Sequence, residues 1–182
     1  MKKTLLAVAL AVAAFGANAQ YTAFANTDYT RATGNSWYSQ YENRFGVAMA
    51  TKEWGTFDIL AVQTITKTNA TNNSLGAEVG WGASTKVDQF DLNGRVGFGG
   101  ISSDWYYSVQ GEAKYALDPS VQPVLQYRFR DGFEAAYVAQ NRFLIGADFS
   151  LAKDVNARLG YTYTVMKGPD LNGLSATVNF GF

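Results

Sequence analysis

The groups with the widest chemical reach in this sequence are arginines and carboxylates set at every second position of alternating segments. Arg128 and Arg130 are two residues apart, and Arg142 and Arg158 stand in the two segments that follow. Arg44, Arg95 and Lys114 add three further cations, and Glu42, Asp58, Glu78, Asp91, Glu112 and Asp148 supply the anions. Such groups pair with one another, hold ions or orient water. They do not make a general base for neutral pH. The chain has no His and no Cys, so the commonest proton acceptor and the thiol nucleophile are both missing. Ser102-Ser103-Asp104 reads as turn chemistry. No G-x-S-x-G is present, and Gly97, Gly99 and Gly100 do not complete a phosphate-binding pattern. They read instead as space in a lumen or as relief of strand curvature. The carboxylates are spread singly, without His or Cys beside them, so neither a metal set nor a cofactor is implied. The sequence therefore predicts no enzyme.

The elements that position these charges are strands. Leu174, Ala176, Val178, Phe180 and Phe182 alternate with Gly173, Ser175, Thr177, Asn179 and Gly181. Successive strand side chains point to opposite faces, so one face is apolar and the other small and polar. Val155, Ala157, Leu159, Tyr161, Tyr163 and Val165 alternate in the same way with Asn156, Arg158, Gly160, Thr162 and Thr164. Arg95, Lys114, Arg128 and Arg158 all fall on the polar face of their strands, as do Asp91, Glu112 and Asp148. An Arg or Lys facing lipid at mid-depth costs roughly 2–4 kcal/mol, so a barrel in lipid turns this face to its lumen. A soluble β-sandwich would instead point the charges at water and pack the aromatic residues inward.

The ends of the chain choose between the two. Lys2 and Lys3 precede an apolar run from Thr4 to Phe15, and Ala17-Asn18-Ala19 follows. That order predicts a secretory signal peptide over 1–19, cleaved before Gln20, leaving one domain at 20–182. At the other end, a last strand with a terminal Phe and apolar residues at alternate places resembles the assembly signal of bacterial outer-membrane barrels. The resemblance implies an integral protein of the bacterial outer membrane, reached through the periplasm, with the lipid bilayer and the barrel assembly machinery as partners. Acidic and basic residues balance at 15 each, which gives no reason to expect nucleic acid. Aromatic residues make up 15% of the chain, yet residues 20–182 hold no apolar run long enough for a spanning helix. A membrane protein of this kind must span as a closed barrel, because lipid offers no partner to an open sheet edge.

Strand number follows from parity. Both termini of such a barrel lie in the periplasm, periplasmic turns are short and external loops longer. Residues 52–55, 118–120 and 152–154 read as tight turns; 30–38, 69–74 and 167–172 read as longer polar loops. Between Asp118 and Asp154 the chain has room for two strands or three. Only two put every short turn on the periplasmic side. The reading is therefore all-β, a transmembrane antiparallel up-and-down barrel of ten strands. They lie near 20–29, 39–51, 56–67, 75–85, 88–99, 105–117, 121–131, 139–151, 155–165 and 171–182. Eight and twelve are the neighbouring even counts. In the connection 132–138, Ala135, Tyr137 and Ala139 could lengthen the eighth strand. Tyr29, Tyr38, Trp105 and Tyr107 are expected at the outer membrane interface, and Trp54, Phe57, Phe90 and Phe182 at the inner one.

With that register the arginines of three consecutive strands form a basic stripe on one wall, and acidic groups from Glu42 to Asp91 face it. A transverse field of this kind orients ions and water and suits a narrow porin passing small hydrophilic, preferably anionic, solutes. The run from Tyr115 to Tyr163 is similar in style to small monomeric porins of the oligogalacturonate type, which implies an Arg-rich lumen that takes up acidic sugars. Two other readings stand beside the porin. The charges could pair completely and fill the lumen. The protein could also be a structural or surface barrel acting through its external loops.

Overall fold

The computed structural model describes residues 20–118, 120–134 and 139–182, without the side chains of residues 35–37. The expected signal peptide, residues 1–19, lies outside the described residues, as do Ala135 and Tyr137. Ten antiparallel strands follow one another in chain order: β1 (Gln20–Ala32), β2 (Asn35–Thr51), β3 (Gly55–Lys67), β4 (Thr71–Val87), β5 (Phe90–Ile101), β6 (Asp104–Tyr115), β7 (Val121–Gly132), β8 (Gln140–Ala152), β9 (Val155–Met166) and β10 (Leu171–Gly181). Each pairs with its chain neighbours, and β1 pairs with β10, which closes the barrel. Closure leaves no sheet edge. It is finished by Phe182, whose N–H donates to the Tyr21 carbonyl at 3.0 Å while Tyr21 N–H donates to the Phe182 carbonyl at 3.3 Å. The two rings stack, with centroids 6.0 Å apart.

Alternation decides which way each side chain points. On the outer surface stand Leu125, Ile145, Leu159 and Leu174, all well exposed. Ala176, Val178 and Phe180 share the face of Leu174, and Phe182 follows at the rim. These residues form an apolar band that no other described residue covers, as a lipid-facing wall requires. Aromatic residues gather toward both rims. Trp105 stacks on Phe98 at 5.4 Å and Tyr29 meets Tyr41 at 4.7 Å on one side. Phe90 meets Tyr115 at 5.2 Å on the side that carries the termini.

Strand ends differ from the sequence reading in one consistent way. The rim opposite the termini has shorter loops and longer strands. β1 and β2 meet at a two-residue turn, Thr33-Gly34, with Gly34 at φ 73, a backbone conformation glycine adopts freely. β4 begins at Thr71, four residues before the expected start. Polarity at 30–38 and 69–74 read as loop because it breaks the apolar alternation. In a barrel, however, a strand can continue past the hydrocarbon, and there its outward positions no longer need to be apolar.

Candidate functional site

Among the described residues most of the charges converge in the lumen, and they do so as contact pairs. Glu42 on β2 reaches across to β7. Its Oε1 accepts from Arg44 Nε at 2.8 Å and Arg128 Nη2 at 3.1 Å, and its Oε2 accepts from Arg130 Nη1 at 2.9 Å. Arg142 on β8 donates through Nη1 to Gln126 Oε1 at 2.9 Å, and its Nη2 lies 2.7 Å from Asp28 Oδ2. Arg95 on β5 grips Asp58 with two parallel bonds, Nε to Oδ2 at 2.7 Å and Nη2 to Oδ1 at 2.5 Å, and turns Nη1 to Glu78 Oε1 at 2.5 Å. Arg158 on β9 does the same with Asp148, at 2.5 and 2.9 Å, and also donates to both oxygens of Glu112. Lys114 completes that group, 2.8 Å from Asp148 and 3.5 Å from Glu112.

Neutral groups join these clusters in pairs, Gln126 linking the Arg142 and Arg158 groups and Tyr106 the Arg95 and Glu42 groups. Gln126 accepts from Arg142 and donates to Glu112 at 2.8 Å. Tyr106 donates its hydroxyl to Glu78 Oε2 at 2.8 Å, and its ring lies under the Arg130 guanidinium at 4.7 Å. Charge-assisted and bidentate bonds of this kind are the strong ones, and inside a narrow barrel they must be, because desolvating an ion costs several kcal/mol.

Space for these side chains comes from glycines on the same wall. A Cβ at Gly97 would stand 2.6 Å from Glu78 Oε1 and 2.6 Å from Ser108 Oγ. One at Gly99 would meet the Tyr106 hydroxyl at 2.8 Å, and one at Gly80 would collide with the Arg95 guanidinium. Gly97 and Gly99 thus make room in the lumen. Gly100 faces outward, where Trp105 lies over it.

Of the charges singled out in the sequence, Glu42, Arg44, Asp58, Glu78, Arg95, Glu112, Lys114, Arg128, Arg130, Arg142, Asp148 and Arg158 meet in this network. Asp91 does not. It sits near the rim of the termini, beside Lys86 at 3.9 Å, and both are substantially exposed. The basic stripe and the opposed acids do not face each other across open water, because the long guanidinium arms span the gap. Alternation also assigns Asp28, Tyr106 and Gln126 to the inner face, where each bonds a charged partner. The inner face carries apolar residues too: Leu60, Val62, Val124 and Leu144 are all at least 96% buried. Their parity with Asp58, Gln126 and Arg142 was readable. Toward the far rim a cavity of about 170 Å³ is lined by Gln40, Ser102, Asp104 and Gln140 and reaches down to Glu42 and Arg130.

This geometry decides the architecture. The fold is that of an outer-membrane β-barrel. No protein-family model matches the chain, and no curated protein does. Solved structures do match. The translocator domain of the autotransporter NalP from Neisseria meningitidis superposes with a TM-score of 0.52 at 11% identity, over 100% of this chain and 94% of that one. The KdgM porin follows with a TM-score of 0.46 at 9% identity, over 88% of this chain and 99% of that one. The NanC porin gives 0.46 at 11% identity, over 87% and 98%. At 11% identity the likeness to the NalP translocator domain is one of fold alone.

Proposed function

We propose that this protein is an integral outer-membrane barrel whose lumen is closed at rest by its own charges, a non-conducting wall-embedded scaffold rather than a standing open porin. One observation carries the reading. At the waist of the lumen the side chains reached by water are almost none: Arg130 and Glu78 are 2% exposed and Tyr106 0%. A continuous water column would wet these inward groups. Opening one would require separating buried ion pairs, and each pair broken leaves an uncompensated charge.

A second reading keeps the channel. It is favoured by the cavity of about 170 Å³ that leads from the far rim to Glu42 and Arg130. If the arginine arms swing aside, small hydrophilic solutes, anions first, would pass along the guanidinium wall. In either case the terminal strand ending in Phe182 serves as the signal for the assembly machinery, residues 1–19 direct export, and the far rim faces outward. No catalytic role is proposed.

Refolded protein spanning residues 20–182, examined in planar bilayers at several salt concentrations, separates the readings. The closed barrel gives no steady conductance at low voltage. Frequent, discrete open levels in the unaltered protein would overturn it in favour of the channel, and reversal potentials in a salt gradient would then measure anion preference.

A further inference from the structure

We infer that the lumen binds one small monovalent anion, such as chloride, at the guanidinium of Arg44. The inference stands on a charge count and an unmatched donor, and does not depend on whether the barrel conducts. The buried network contains seven cations, Arg44, Arg95, Lys114, Arg128, Arg130, Arg142 and Arg158, against six carboxylates, Asp28, Glu42, Asp58, Glu78, Glu112 and Asp148. One positive charge is left over. It does not belong to the cluster of Arg158 and Lys114, which balances against Glu112 and Asp148. It belongs to the waist, where Arg44, Arg128 and Arg130 all converge on the single carboxylate of Glu42.

The donor inventory points to the same place. Arg44 is 92% buried, and its Nη2 is sealed from solvent without a hydrogen-bond partner. Its Nε is occupied by Glu42. A buried guanidinium nitrogen left unbonded costs more than a neutral one, because the charge stays desolvated. Asp104, a further carboxylate, lines the cavity at the far rim, is half-buried and accepts a hydrogen bond from Ser103. Water and salt screen it from the waist. One excess charge and a guanidinium nitrogen with both its N–H groups unbonded call for one monovalent acceptor. A halide fits this chemistry: it carries a single charge and has no protons, and because Arg44 Nη2 is sealed from solvent the guanidinium must shift to admit it. The cavity from the far rim is lined by Glu42 and Arg130 and not by Arg44, so the ion would reach Arg44 past the carboxylate that bonds it. A large organic anion would not follow.

The test compares unfolding of the refolded barrel in sodium chloride and in sodium gluconate at equal ionic strength. Bound ligand stabilises by mass action, so chloride should raise the unfolding midpoint by several degrees over gluconate. Arg44→Gln removes both the excess charge and the donor, and should abolish the difference while leaving the barrel folded. If that variant fails to fold, the unaltered protein still decides. Crystals soaked in bromide should show an anomalous peak within about 3.5 Å of Arg44 Nη2. Equal midpoints in the two salts, or an ordered water at Arg44 with no halide peak, would overturn the inference.

Discussion

Glu42 and Arg130 are 88 residues apart in the chain and 2.9 Å apart in the lumen. β2 and β7 share no backbone ladder, so this pair is a strut between opposite walls. Through its other carboxylate oxygen Glu42 also anchors both Arg128 and Arg44. Replacing the carboxylate leaves Arg44, Arg128 and Arg130 without the anion they share. Glu42→Gln should therefore destabilise the barrel by about 3–5 kcal/mol, the range for removing one partner of a buried pair. Reversible urea unfolding in lipid vesicles would measure it. The same variant should conduct in planar bilayers where the parent does not, because the freed arginines move apart.

Tyr106 separates the contribution of a hydrogen bond from that of a ring. Its hydroxyl donates to Glu78 and its face supports Arg130. Tyr106→Phe keeps the face and leaves one Glu78 lone pair unmatched, so about 1–3 kcal/mol should be lost. Tyr106→Leu also removes the cation–π contact, worth up to about 2 kcal/mol when desolvated, and should be the less stable of the two. Equal unfolding midpoints for the two variants would show that the ring does not support Arg130.

Gly97 tests whether the lumen is full. Its missing Cβ is what lets Glu78 and Ser108 sit where they do. Gly97→Ala should cost about 1–3 kcal/mol through overpacking, despite alanine's usual advantage over glycine in a strand. Gly94 faces outward and has open space where a Cβ would go. Gly94→Ala should therefore be neutral or mildly stabilising, and thermal unfolding of the two variants side by side gives the comparison.

What the sequence revealed of this architecture was its period. Alternation at Leu174–Phe182 and Val155–Val165 set inside against outside, and the parity of short turns selected ten strands, which the closed ladder has. Loop lengths were not legible, since Thr71 and Asn72 are polar whether they lie in a loop or in a strand above the hydrocarbon. Nor were the pairings. Arg158 with Asp148 could be guessed from adjacent strands, whereas Glu42 with Arg130 depends on strand tilt and on how far an arginine reaches across ten strands. Asp28 was missed for a simpler reason. It stands near the end of its expected strand, where its parity was not followed outward.

Leu144 and Ile145 put the inside-out reading to its strictest test, because they are adjacent in β8 and face opposite ways. Ile145 is 65% exposed and Leu144 only 2%. An arginine at position 145 would sit in hydrocarbon and should cost about 2–4 kcal/mol if near mid-depth. A truncation there, Ile145→Ala, removes contacts with lipid alone and should cost under about 1 kcal/mol, because fluid lipid closes the gap and no cavity forms. Leu144→Ala opens a cavity beside the ion pairs, which cannot collapse inward while Arg142 is held by Asp28, and should cost about 2–5 kcal/mol. The order of the two alanine variants in vesicle-based unfolding is the deciding measurement. A barrel whose apolar wall faced its own interior, as in a soluble sandwich, would reverse that order, with Ile145→Ala the more damaging.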